Sequence, residues 1–238
     1  MSKTYKISYK AYFNDRLKEV FFHGRPTYPL YVQLTHERKT IFFKSSCFEL
    51  FSKSRYGIFM SGEIHGPTIE EIIEKENSLM EFIIVKNQAD FSLDRFKEDY
   101  TFYSKDLCDV TEEGFINYLY IFFHDEGMPA LGSIIRQGSK FSTSYDLVRD
   151  LKRALNKLIY DKLIENSFYY APPYLPLYGF MQKKKKWPLL SLTVMEWETD
   201  QTKAEFLDYL HENYTSEQAD NIMQEVESSI TNLKKSED

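Results

Sequence analysis

The apolar residues of this 238-residue chain change period once, near residue 61, and that change calls for strands first and helices after. Over residues 4–60 the period is two. Tyr5-Lys6-Ile7-Ser8-Tyr9-Lys10-Ala11-Tyr12 alternates apolar and polar, and Leu30–Thr35 and Thr40–Lys44 are rich in strand-forming residues. The polar run His36-Glu37-Arg38-Lys39 between the last two has the length of a hairpin connection. Gly24, Pro26 and Pro29 interrupt the chain between the first and second strands. The simplest reading is a three-stranded antiparallel sheet. Three strands alone are marginal, so one face is expected to pack on something.

Ser61–Pro67 marks the change, and beyond it the period is helical. Thr68 and Glu71 have the spacing of a capping box, and the apolar stripe from Ile69 to Ile84 predicts a helix to about Lys86. Further helices are expected from Ser92, from about Thr111 to a break at Gly127-Met128-Pro129, and from about Ser144 to Glu165. Ala171–Gly179, with three prolines, reads as an extended linker. Leu189–Val194 reads as a short strand. Thr202 with Glu205, and Thr215 with Gln218, read as two more capped helix starts. The expected class is α+β: an N-terminal three-stranded antiparallel sheet followed by a mainly helical body. The expected division is a basic β domain over 1–60, a helical domain over 61–170, and a proline-rich linker, short strand and acidic C-terminal helices over 171–238.

Charge follows the same division. Residues 1–60 hold 11 Lys and Arg against 4 Asp and Glu, whereas residues 61–238 hold 19 against 32. A +7 segment on a −13 remainder suggests either a surface that faces a polyanion or a solvated edge sheet whose lysines discourage aggregation. The candidate phosphate-binding residues are Lys10, Arg16, Lys18, Arg25, Arg38, Lys39, Lys44 and Lys53, because each phosphate neutralised by a cation releases counterions and adds affinity. A small sheet can also enter the DNA major groove. Double-stranded DNA is therefore the expected partner. Lysines 183–186 form a second basic run, beside the expected linker, where a solvated face is the simpler account.

Most enzyme chemistries find no support. There is no GxxxxGK[ST] or GxGxxG loop, no HExxH and no GxSxG elbow, and the five histidines are scattered. Asp15 with Glu37-Arg38-Lys39 has the residue types of a metal-dependent nuclease, but Glu37 falls in a turn where solvated charge is expected. Cys47 and Cys108 are too few for a disulfide framework and too far apart for a four-ligand zinc site, so two reduced thiols are expected. No catalytic residue, cofactor or metal is therefore expected. No run approaches 18 apolar residues, and the start lacks the apolar stretch of a signal peptide, so a cytoplasmic protein without membrane contact is expected.

Tyr28-Pro29-Leu30-Tyr31-Val32-Gln33-Leu34-Thr35, followed after a polar turn by Arg38-Lys39-Thr40-Ile41-Phe42-Phe43-Lys44-Ser45, resembles the N-terminal arm-binding domain of tyrosine recombinases and phage integrases from Bacteroidetes-type mobile elements. In that family a small three-stranded sheet reads DNA arm sites. Residues 92–168 are loosely similar to the helical core-binding domain, most closely over Asp150–Lys157 and Ile164–Asn166. Leu192-Thr193 before Glu196 is similar to the entry to the catalytic domain. The family's catalytic Arg, HxxR and Tyr do not follow: no HxxR occurs in the chain, and only 41 residues follow Trp197. The resemblance implies a DNA-binding accessory or regulatory protein of a mobile element or phage, without strand-cleaving chemistry. The alternative is a self-assembling phage structural or cargo protein, a homo-oligomer, suggested by 18 Tyr and 19 Phe, since aromatics favour interface cores.

Overall fold

The structure, a computed structural model, describes residues 6–185, 187 and 189–237; Tyr5 and Lys186 lie outside the described residues. The fold is α+β, with the three-stranded antiparallel sheet first and helices after it. Two compact units divide the chain, Met1–Ser104 and Lys105–Asp238. The change of period at residue 61 falls inside the first unit.

In the first unit β1 (Ser8–Phe13), β4 (Leu30–His36) and β5 (Lys39–Lys44) form the sheet, in the order β1-β4-β5. The connection between β4 and β5 is tighter than the four residues expected. His36 pairs with Lys39, and only Glu37 and Arg38 turn the chain, both at positive φ (50° and 65°). That is the handedness that lets a two-residue turn follow the strand twist. Between β1 and β4 lies a small hairpin, β2 (Val20–Phe22) with β3 (Arg25–Thr27). After β5 come helix α1 (Ser46–Phe51), a single 3-10 turn at Ser54–Tyr56, and a second hairpin, β6 (Ile58–Met60) with β7 (Glu63–His65). Strands of three residues are too short to show a period, so neither hairpin is visible in the sequence pattern.

Helix α2 (Ile69–Lys86) starts on the expected capping box, with Thr68 and Glu71 exchanging hydrogen bonds of 2.8 and 3.2 Å. Helix α3 (Leu93–Tyr103) starts at the expected cap, Ser92. Together they cover one face of the sheet. Leu30, Val32 and Leu34 are buried there with Ile72, Leu79, Met80 and Ile83 of α2 and Phe96 and Tyr100 of α3. Phe43 meets Tyr100 with ring centroids 4.5 Å apart, and Tyr9 Oη donates to Glu81 at 2.7 Å. A buried carboxylate ties α2 to both neighbours. Glu76 accepts from the Ser45 hydroxyl, from Tyr100 Oη at 2.5 Å, and from the Cys47 amide at 3.4 Å. Ser45 also caps α1 by accepting from the Phe48 amide.

In the second unit α4 (Leu107–Asp125) is the centre, and packs against α5 (Pro129–Gly138), α6 (Ser144–Ala154), α7 (Lys157–Tyr170) and α8 (Tyr174–Lys184). Helix α4 begins four residues before the expected Thr111, because Asp106 caps it. The helix expected from Ser144 to Glu165 is two helices. Leu155 is extended, and the Asn156 side chain caps α7 by accepting from the Ile159 amide at 2.9 Å. The largest correction concerns Ala171–Gly179, which is no linker. It is the start of α8, and Ala171, Pro172, Pro173 and Tyr174 are buried. Pro176 sits in the first turn, where its missing N–H costs no intrahelical bond. Tyr174 stacks on Phe115 at 4.6 Å and donates to the buried Glu112 at 3.0 Å. Glu112 also accepts from the Ser144 amide at the start of α6.

Leu189–Val194 forms no strand; its only pairing is an isolated bridge from Thr193 to Asp106. Thr193 and Glu196 make a capping box for α9 (Val194–Trp197). Helix α10 (Asp200–Asn213) starts on Thr199 rather than Thr202. Helix α11 (Ser216–Glu237) starts on the expected Thr215–Gln218 pair. Trp197 is buried, and its indole donates to Glu227 at 3.0 Å. No described helix is long and apolar enough to cross a membrane. Cys47 and Cys108 are buried and unbridged.

Candidate nucleic-acid interface

Strand register sorts the first unit's residues into two faces. On the helix-covered side stand Tyr9, Ala11 and Phe13, then Leu30, Val32 and Leu34, then Ile41 and Phe43. The other side is open, and its residues align in three rows across the strands. They are Ser8–Thr35–Thr40, Lys10–Gln33–Phe42 and Tyr12–Tyr31–Lys44. Phe42 is 57% exposed, although it is a large apolar side chain at the middle of a sheet edge. Lys10 Nζ lies 5.3 Å from the Tyr12 ring centroid, and Tyr12 meets Tyr31 at 6.4 Å. Thr35 and Thr40 share a hydroxyl hydrogen bond of 2.9 Å. The outer strands lie about 10 Å apart, so the face is close to the ~12 Å width of the major groove of B-form DNA.

The eight candidate cations are all exposed, but they do not share this face. Lys10 and Lys44 stand on it. Arg38 is in the β4–β5 turn, and Lys39 has the parity of Ile41 and Phe43, so it leaves from the helix-covered side. Arg16 and Lys18 lie in the loop after β1, and Arg25 in β3. These last three gather at the sheet end where Lys44 closes β5. Phe22 of the β2–β3 hairpin stacks on Phe48 of α1 at 5.2 Å, and Phe48 meets Phe13 at the end of β1 at 6.5 Å. Lys53 follows α1 at the same end. The sheet therefore carries a larger basic group at one end, Lys10 in the middle and Arg38 with Lys39 at the other.

Lys44 makes an exposed ion pair with Glu49 at 3.4 Å, worth little in water. Lys10, Arg16, Lys18, Arg25, Arg38 and Lys39 enter no ion pair among the described residues. The first unit as a whole is nearly neutral, with 15 Lys and Arg against 14 Asp and Glu. The excess is local, because 10 of those acids follow residue 60. Asp15 and Glu37, the acids of the nuclease-like pattern, stand beyond opposite ends of β1 and β4, at least about 20 Å apart along the strands. Among the described residues no three His, Cys, Asp or Glu side chains group to hold a metal.

The two small hairpins form one body around His23. An added Cβ at Gly57 would come within 2.6 Å of His23 Nδ1, and one at Gly66 within 2.8 Å of the same ring. Both positions must be glycine for the imidazole to fit. Burial pushes the His23 pKa below its ordinary value, and a hydrogen bond to the Phe51 backbone opposes that shift. The tip of β6–β7 is unusually apolar for a surface, with Ile58, Phe59, Met60 and Ile64 all exposed. On the core side, burial and the Glu81 carboxylate raise the Tyr9 pKa to about 12, so its hydroxyl remains a donor.

Three lysines of the other basic run pair with acids. Lys183 pairs with Glu212 at 2.7 Å, Lys184 with Glu205 and Lys185 with Glu196. Residues that sequence reasoning did not single out, Tyr12, Tyr31, Gln33, Thr35, Thr40 and Phe42, make up most of the open face. The signal that could have found them is parity: they occupy alternate positions once His36 is paired with Lys39.

No protein-family model matches the chain, and neither a curated protein nor a solved structure matches it.

Proposed function

We propose that this is a non-catalytic DNA-binding protein, an accessory or regulatory component of a mobile element or phage, whose open β1–β4–β5 face lies against duplex phosphates. The observation that carries this reading is the sheet itself. One side is sealed by α2 and α3, while the other presents Lys10 and Lys44 on the two outer strands around an uncovered polar and aromatic centre. Outer-strand cations suit the phosphate ridges on either side of a groove, and the centre suits its floor. Arg38 at one end, and Arg16 and Lys18 at the other, extend the reach along the backbone.

Fluorescence polarisation with a labelled duplex over a series of salt concentrations tests this. Five phosphate contacts give a slope of roughly −4.5 in log K against log salt. Lys10→Glu with Lys44→Glu should flatten the slope by about 2 and weaken binding of every sequence alike. Arg38→Glu should weaken it in the same manner. Absence of affinity for any duplex at low salt overturns the reading.

A second reading, self-association without a nucleic-acid role, is favoured by the β6–β7 tip, where Phe59 is 73% and Met60 56% exposed. Contiguous exposed apolar groups of this kind mark contact surfaces. Light scattering that finds a monomer at high concentration, unchanged by Phe59→Ser, removes it.

A further inference from the structure

We infer that the centre of the open face reads A·T base pairs in the major groove of B-form DNA, with Gln33 as the adenine-reading side chain and Phe42 against the adjacent thymine methyl. The inference rests on the duplex-binding reading above and names what that face recognises. Gln33 is on the central strand, between Lys10 on β1 and Phe42 on β5. Among the described residues its amide makes no hydrogen bond, although it is half-buried between those neighbours. The nearby Thr35 and Thr40 hydroxyls are engaged with each other. The Gln33 amide is therefore the one group at the middle of this face with a donor and an acceptor both unengaged inside the protein and fixed side by side.

That pair matches adenine, which shows an acceptor at N7 and a donor at N6 in the major groove. Guanine shows two acceptors there, so the amide oxygen would face a lone pair. Hydroxyls such as those of Tyr12 and Tyr31 can donate or accept and discriminate little. Phe42 supplies the apolar complement. A large exposed ring beside the amide has nothing to gain from water, whereas the thymine C5-methyl of the same or the next pair is the apolar feature of that groove. The major groove of an A-form RNA duplex is too deep and narrow to admit the sheet.

The test uses the full chain and three labelled duplexes with identical flanks: an A·T core, a G·C core, and the A·T core with every thymine replaced by uracil. The A·T duplex should bind about 5- to 100-fold tighter than the G·C duplex. Uracil should cost about fourfold, since it removes only a methyl group. Gln33→Leu should shrink the A·T preference to about the fourfold that the thymine methyl supplies, with the salt slope unchanged, because the Phe42 and phosphate contacts remain. The uracil duplex changes nothing in the protein, so the prediction survives a variant that folds poorly. Equal, salt-dependent affinity for all three duplexes overturns A·T reading and leaves duplex binding standing. Binding of none of them at low salt overturns both. Tighter binding of the single strands or of an RNA duplex of the same sequence also overturns the inference, and assigns the aromatic face to base stacking or backbone shape.

Discussion

Replacing Tyr100 by Phe should destabilise the first unit, and by more at pH 8 than at pH 5. The Tyr100 hydroxyl donates to the fully buried Glu76 and accepts from the Ser46 amide at 2.8 Å. Removing it deletes two buried hydrogen bonds, about 1–1.5 kcal/mol each, for a loss of roughly 2–3 kcal/mol. Burial raises the Glu76 pKa above its ordinary value, against the opposing hydrogen bonds from Ser45, Tyr100 and Cys47. A carboxyl with a raised folded pKa contributes most to stability below its unfolded value, and that contribution is lost as pH climbs through the folded one. Taking away one of the donors that favour the charged form raises the folded pKa further, so the deficit widens with pH. Hydrogen exchange of the α2 amides reads the opening free energy of this unit directly. Both tryptophans, Trp187 and Trp197, belong to the second unit, and their fluorescence follows that unit separately. A loss below about 0.5 kcal/mol at both pH values, or a larger loss at pH 5, would refute the view that Glu76 depends on Tyr100.

The β4–β5 turn is strained by its side chains: Glu37→Asn with Arg38→Gly should stabilise the first unit by about 1–2 kcal/mol, because both residues hold positive φ that Asn-Gly adopts readily. A lower melting temperature would contradict the two-residue turn. Gly57→Ala should cost about 1–3 kcal/mol in urea unfolding, since its Cβ would press on His23 and on Ile64. Gly114→Ala, in an α4 position with open space around it, should instead gain about 1 kcal/mol. Equal effects of the two alanines would remove the argument from close approach.

What could be read in advance was whatever repeated over enough residues to show a period. The alternation of β1, β4 and β5 and the eighteen-residue stripe of α2 were legible, as were the Thr68 and Thr215 caps. The β2–β3 and β6–β7 hairpins were not, since three residues carry no period. The prolines of 171–179 misled because proline fits both an extended chain and the first turn of a helix; burial decides between them, and burial comes from Tyr174, Phe115 and Glu112, which lie far apart in the chain. Leu155 keeps the apolar stripe intact while breaking the helix, so only its backbone reveals the break. The open face was partly legible. Its lysines stood out by charge, but Gln33 and Phe42 became neighbours only when the turn at Glu37-Arg38 set the pairing, and a one-residue slip would have sent them to opposite sides.

The folding of Lys183, Lys184 and Lys185 onto Glu212, Glu205 and Glu196 makes that stretch electrically quiet at a distance. Beyond about 10 Å at ordinary ionic strength, three such dipoles leave almost no field. A polyanion near this stretch would therefore gain little from the charge of Lys183, Lys184 and Lys185.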